Sequence, residues 1–99
     1  MFTRVSTYEG DTDALTEGFR RTVEPLEQLD GFVRAYFLTK RGARRAMTVT
    51  IWETEAAMAA SAEWANRARE HAAHDTGGAI ESVETYEVAL TAEKAALRR

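Results

Sequence analysis

The sequence predicts an α+β domain of β-α-β-β-α-β order: a ferredoxin-like, four-stranded antiparallel sheet with two helices on one face. Three observations predict it. Four segments (2–8, 32–39, 45–53 and 79–88) are rich in β-branched and aromatic residues and read as strands. Two longer segments between them carry apolar residues at helical spacing. Only the turn Lys40-Arg41-Gly42-Ala43 parts the middle strands, which makes them an antiparallel hairpin.

The first strand, FTRVSTY, ends at Glu9-Gly10. Asp11-Thr12-Asp13 then offers a side-chain oxygen to the free amides of a helix start. Leu15, Phe19, Val23, Leu26 and Leu29 follow as one apolar stripe, with Glu17, Arg20, Arg21, Glu24 and Glu27 off it. Pro25 cannot donate to the carbonyl of Arg21, so a kink or break is expected near 21–25. Asp30-Gly31 stops the helix with glycine as the left-handed cap. On the third strand Met47, Val49 and Ile51 share one face and Thr48, Thr50 and Trp52 the other. Thr54 caps a second helix running from Glu55 to about His74, mostly Ala, with Met58 and Trp64. Asp75-Thr76-Gly77-Gly78 ends it, and the fourth strand follows. The chain is read as one domain over 1–99, with its core at 2–88 and a tail, 89–99, that favours helix.

Both faces of the third strand carry bulk, while the two helices cover only one side of the sheet. A second copy packed sheet to sheet is the simplest cover, so an obligate homodimer burying on the order of 2,000 Å² or more is expected.

Composition narrows the chemistry. The chain has 99 residues, 44% hydrophobic and 29% charged, with a net charge of −3. That balance argues against a wide nucleic-acid footprint. The absence of Cys excludes disulfides, a thiol nucleophile and thiolate metal sites. No apolar run approaches a membrane span and no signal-peptide pattern opens the sequence, so a cytoplasmic protein without membrane contact is expected. Eleven of the thirteen basic residues are Arg, and Ala is abundant, which hints at a GC-rich genome and nothing more; a bacterial protein is expected.

On a helical wheel Trp64 and His71 are neighbours on one flank of the second helix's apolar stripe; Glu63, Arg67 and Glu70 lie on the wet face, with His74 among them. The Ala-rich stripe either brings the helix close to the sheet or leaves a gap. A gap lined by Trp52, Met58, Ser61, Trp64 and His71 would be an apolar pocket with one titratable group. His71 and His74 lack the carboxylate that would complete a metal site, and none is expected. The cationic turn at Lys40–Arg45 reads as a solvated tip that blocks edge pairing.

The segments LDGFVRAYFLTK, RAMTVTIWETEAAMAAS and AIESVETYEV resemble the antibiotic biosynthesis monooxygenase family of dimeric α+β barrels, over roughly residues 2–88. The strongest marks are Gly31-Phe32 opening the second strand, Trp52-Glu53-Thr54-Glu55 closing the third, and Val83-Glu84-Thr85-Tyr86-Glu87-Val88. The resemblance implies one of three roles: cofactor-free oxygenation of polyketide phenols or quinols, haem degradation, or a function not yet defined. Haem-degrading members carry a helix His nineteen positions after the strand Trp, matched here by His71. Their helix Trp, nine after it, is Ser61 here, with Trp64 one turn on; Arg4, Val5 and Ser6 stand where they have a first-strand Asn. Polyketide-oxidising members share the strand Trp, matched by Trp52; their Asn four before it is Thr48 and their Tyr six after it is Met58.

The expected function is therefore a small monooxygenase needing no cofactor, acting on a small phenolic or quinol molecule. His71 would deprotonate the substrate or anchor its oxygen. Trp52, Trp64, Met58 and Ser61 would form the walls, and Thr48 or Thr50 would donate a hydrogen bond. A non-catalytic dimer that binds a small ligand is the second expectation, and a haem-binding protein using His71 the third.

Overall fold

The computed structural model describes residues 1–94. It contains strands β1 (Phe2–Glu9), β2 (Phe32–Lys40), β3 (Arg45–Trp52) and β4 (Ala79–Glu87). The helices are α1 (Thr12–Arg20), α2 (Val23–Glu27), α3 (Glu55–Ala60) and α4 (Ala62–Thr76). The strands form one sheet in the order β2-β3-β1-β4, with every neighbouring pair antiparallel. β3 lies between β1 and β2, and β1 lies between β3 and β4, so two split βαβ units interlock as the sequence predicts.

Local chemistry explains most boundaries. Asp11 Oδ1 accepts from the Ala14 amide at 2.9 Å and starts α1. The expected break separates α1 from α2, where the Thr22 amide and hydroxyl both donate to the Phe19 carbonyl, at 2.8 and 2.7 Å. Pro25 then falls in the first turn of α2, where a missing N–H costs no intrahelical bond. Thr54 Oγ1 accepts from the Ala57 amide at 3.0 Å and starts α3.

Two expectations are corrected. The single helix over 55–74 is two helices, broken at Ser61. The cause is a tertiary contact: the Met58 carbonyl accepts from the Arg4 guanidinium at 2.8 Å and from Ser61 Oγ at 2.7 Å. Those donors engage the carbonyl that would otherwise receive the Ala62 amide. The helix expected over 89–99 does not form at 89–94, where the chain has no regular structure and Leu90 is exposed. So short a helix is marginal in water without an apolar face to bury. Residues 95–99 of that expectation lie outside the described residues.

The register sorts the strand residues into two faces. Arg4, Ser6 and Tyr8 of β1 and Ala46, Thr48 and Trp52 of β3 are buried beneath the helices. The opposite face carries Val5, Met47, Val49 and Ile51, flanked by Tyr36 and Leu38 on β2 and Tyr86 on β4. The side of the sheet that no helix covers is therefore also rich in apolar residues. Tyr36, Leu38 and Tyr86 are each about half exposed.

Under the helices the core is in two parts. Leu26, Trp52 and Met58 form one cluster, with Phe2, Phe19, Phe32 and Trp64 against it. Tyr8, Leu15 and Ala46 form the other, with Phe37 against it.

Gly31 fixes the passage from α2 to β2. Its φ is +76°, and a Cβ there would lie 2.4 Å from the Ala57 Cβ of α3. Gly42, at the hairpin, has φ +81° and open space around it. Gly42→Ala is expected to cost only the left-handed backbone penalty of about 1–2 kcal/mol. Gly31→Ala adds overpacking of about 1–3 kcal/mol. Urea denaturation of both variants checks this; equal losses would show that Ala57 gives way freely.

Candidate functional site

The space between the two core clusters is not filled by apolar side chains. It is a hollow with a sheet wall of Arg4, Ser6, Tyr8, Thr48, Thr50 and Trp52 and a facing wall of Trp64, Ala65, Ala68, Arg69 and Ala72 from α4. Phe19, Thr22 and Leu26 close one side. Small residues on α4 leave the gap, since alanine cannot reach the sheet as Leu or Phe would. The free volume is about 40 Å³, little more than the ~30 Å³ share of one water in the liquid. Outside it, between α1–α2 and α4, lies an open cleft of about 490 Å³, within the ~300–1,000 Å³ of small-molecule sites. Thr22, Trp64, Ala68 and Ala72 line both spaces, so the Trp64 indole stands at their common boundary.

Of the residues expected at the site, Trp52, Trp64, Thr48 and Thr50 line the hollow. Trp52 is 1% exposed, and its indole N–H donates to Thr50 Oγ1 at 3.0 Å, which fixes the ring along the sheet. Met58 and Ser61 are buried beside the hollow without lining it: Met58 packs on Leu26 and Trp52. Ser61 Oγ accepts from Arg4 Nη1 at 3.1 Å while donating to the Met58 carbonyl. His71 is exposed and lines the outer cleft with Arg21, Arg67 and Asp75. It does not line the hollow, and Trp64 is the expected neighbour that it shares the cleft with.

The structure adds groups that sequence reasoning did not single out as site residues: Arg4 and Arg69, 6% and 9% exposed, and Tyr8. Burial, and then the charge of Arg69, holds the Arg4 guanidinium below its ordinary pKa. Burial also lowers that of Arg69, with Tyr8 and the exposed Glu70 acting in the opposite sense. Burial raises the Tyr8 phenol, against hydrogen bonding to Thr48 and Ser6 and the charge of Arg69. Arg69 donates to the Asn66 side chain one turn back on α4. Among the described residues, the ion pairs are Arg20–Glu17 and Arg44–Glu9, both exposed, and neither buried guanidinium belongs to one. A signal for Arg69 was present: eleven residues after Met58 at ~100° each place it ~20° from Met58, inside the alanine stripe. For Arg4 there was none, because a basic residue in a strand reads by default as solvent-facing.

The sequence model of a family described as antibiotic biosynthesis monooxygenase matches residues 1–76. Among solved structures, the chain is similar to SnoaB from Streptomyces nogalater, described as a cofactor-independent oxygenase. The similarity to a variant of SnoaB has a TM-score of 0.74 at 18% identity and covers 94% of this chain and 97% of the other. It is also similar to MhuD from Mycobacterium tuberculosis, described as a heme-degrader with two hemes bound in its active site. That similarity has a TM-score of 0.63 at 24% identity, covering 94% of this chain and all of MhuD. No curated protein matches the sequence.

Ser61 is the hinge of this arrangement. Ser61→Ala removes an acceptor from a buried guanidinium and is expected to cost about 1–3 kcal/mol. Thr54→Ala, which removes only an exposed cap, is expected to cost about 1 kcal/mol. Thermal and urea unfolding of the pair check the order; a neutral Ser61→Ala would mean that Arg4 is not held from the α3–α4 junction.

Proposed function

This chain belongs to the antibiotic biosynthesis monooxygenase family, and we propose that it is a cofactor-independent oxygenase of a small phenolic or quinol substrate. The observation that carries the reading is the paired space about Trp64: an outer cleft wide enough for an aromatic molecule, beside a polar-floored hollow, with the Trp64 side chain lining both. A rotation of Trp64 would merge the two. The substrate's rings would then lie between Trp52 and Trp64, with Thr48 or Thr50 donating a hydrogen bond to a ring oxygen. His71, on the cleft, would take the phenolic proton.

The chemistry is that of the substrate itself. The deprotonated, electron-rich ring transfers electrons to O₂, and a carbon–oxygen bond forms at the ring carbon. Loss of water leaves a carbonyl there. One oxygen atom enters the product and the other leaves as water with the hydrogen of the oxidised ring carbon and the phenolic proton. The substrate gives up four electrons and O₂ accepts four. The protein contributes position and exclusion of bulk water.

Haem is the other group that relatives of this fold take. The hollow itself offers haem no ligand, since no His lines it; His71 stands on the outer cleft. No step is routed through haem here.

We also propose that the protein works as a homodimer through the open sheet face. What supports it is the uncovered row of Val5, Met47, Val49 and Ile51 with half-exposed Tyr36, Leu38 and Tyr86.

Oxygen uptake with a panel of naphthols and hydroquinones, in air and anaerobically, tests the activity. The expected result is one O₂ consumed per carbonyl formed without added cofactor, with kcat/KM reduced about 100-fold or more in His71→Ala. No oxygen-dependent turnover with any of them contradicts the reading and leaves a ligand-binding dimer. A Soret shift on adding haemin that disappears in His71→Ala contradicts it in favour of haem. Sedimentation equilibrium is expected to give twice the chain mass, and a monomer for Val49→Asp; a monomeric wild type overturns the dimer.

A further inference from the structure

Two like charges share the hollow and, among the described residues, no carboxylate lines it; the acidic charge that acts on Arg69 is that of Glu70, exposed on the outer side of α4. Arg4 enters from the sheet wall and Arg69 from the helix wall, both more than nine-tenths buried. Burying one ionised group costs several kcal/mol unless it is paired, and two that repel each other cost more. Proteins meet that cost with a carboxylate, yet among the described residues neither guanidinium has an ion-pair partner. Only three of their N–H groups donate to protein acceptors: Arg4 to Ser61 Oγ and the Met58 carbonyl, Arg69 to the Asn66 side chain. The remaining donors border a hollow whose other polar groups are hydroxyls, those of Ser6, Tyr8, Thr48, Thr50 and Thr22. Hydroxyls can complete the coordination of an oxyanion but cannot neutralise a cation. The rest of the lining is aromatic or aliphatic.

We propose that Arg4 and Arg69 form an anion subsite, and that the ligand of this hollow is a flat apolar molecule bearing one oxyanion, a carboxylate or an acidic enol. The anion sits between the two guanidiniums; since the hollow as it stands holds about one water, the rings extend past Trp52 with Trp64 turned aside, into the outer cleft. Because the two arginines come from opposite walls, the bound anion ties α4 to the sheet. The inference rests on the hollow being the substrate site, though not on oxidation of what binds there.

Anaerobic binding followed by quenching of Trp52 and Trp64 fluorescence tests it on the intact protein. The probes are 2-naphthoate, its neutral methyl ester and 2-hydroxy-1,4-naphthoquinone, an acidic enol. At least one anion is expected to bind about 10-fold or more tightly than the ester; which of them does so distinguishes the carboxylate from the enol. Arg69→Met is expected to abolish the preference while leaving ester affinity within about 3-fold, since the neutral ester carries no charge for the guanidinium to pair with. Arg4→Met is expected to do the same wherever near-UV circular dichroism shows it folded. Arg69→Met decides the matter if it does not, because the Arg69 side chain bonds only within its own helix. Ester binding as tight as both anions, a preference that survives Arg69→Met, or no binding by either anion overturns the proposal. Anion preference without oxygen-dependent turnover keeps the subsite and removes the oxygenase reading; turnover without anion preference does the reverse.

Discussion

A buried arginine organises the helical layer of this protein. Arg4 occupies an inward position of the central strand, where an apolar side chain would ordinarily complete the core, and its guanidinium reaches the α3–α4 junction. Breaking the helix at Ser61 supplies the acceptors that make this burial tolerable, a free carbonyl and a hydroxyl. The break sets the start of α4 and so determines which of its side chains meet the sheet. The core divides into two clusters because a charged and hydroxylated layer, Arg4, Ser6 and Thr48, lies between them. A fold of this size gains stability slowly with burial, so a polar layer at its centre is a substantial sacrifice. Such a sacrifice is characteristic of a site.

The two faces of the sheet complete the picture. Alternation along β3 sends Met47, Val49 and Ile51 to the uncovered side and Thr48, Thr50 and Trp52 to the helices. An isolated chain would thus leave an apolar face open, while the covered face mixes its aromatic core with Arg4, Ser6 and Thr48. Trp64 connects hollow and surface: it packs against the cluster around Trp52 and borders the cleft that holds His71.

Most of the fold was legible because its boundaries are local. Asp11 and Thr54 cap the helices they precede, Pro25 marks the break beside Thr22, and Gly31 takes the left-handed turn expected of it. The break at Ser61 was not legible, since its cause lies 57 residues away at Arg4. Within the site, strand alternation and helical spacing reached Trp52, Thr48, Thr50 and Trp64, for their types suit a half-buried surface. Arg4 escaped because burial of a cation reverses the usual rule and nothing in its strand announces the exception; Arg69 stood within the alanine stripe by spacing and was passed over for its charge. His71, at the flank of the α4 stripe, lines the cleft rather than the hollow.

The central claim is that the hollow exists to receive an anion on an aromatic body. A crystal structure grown with 1-hydroxy-2-naphthoate tests it most directly. The account predicts the carboxylate between Arg4 and Arg69, with the rings between Trp52 and Trp64 and the Trp64 side chain rotated from its present place. A hollow that stays closed around Arg4, with the ligand absent or confined to the outer cleft, would contradict it.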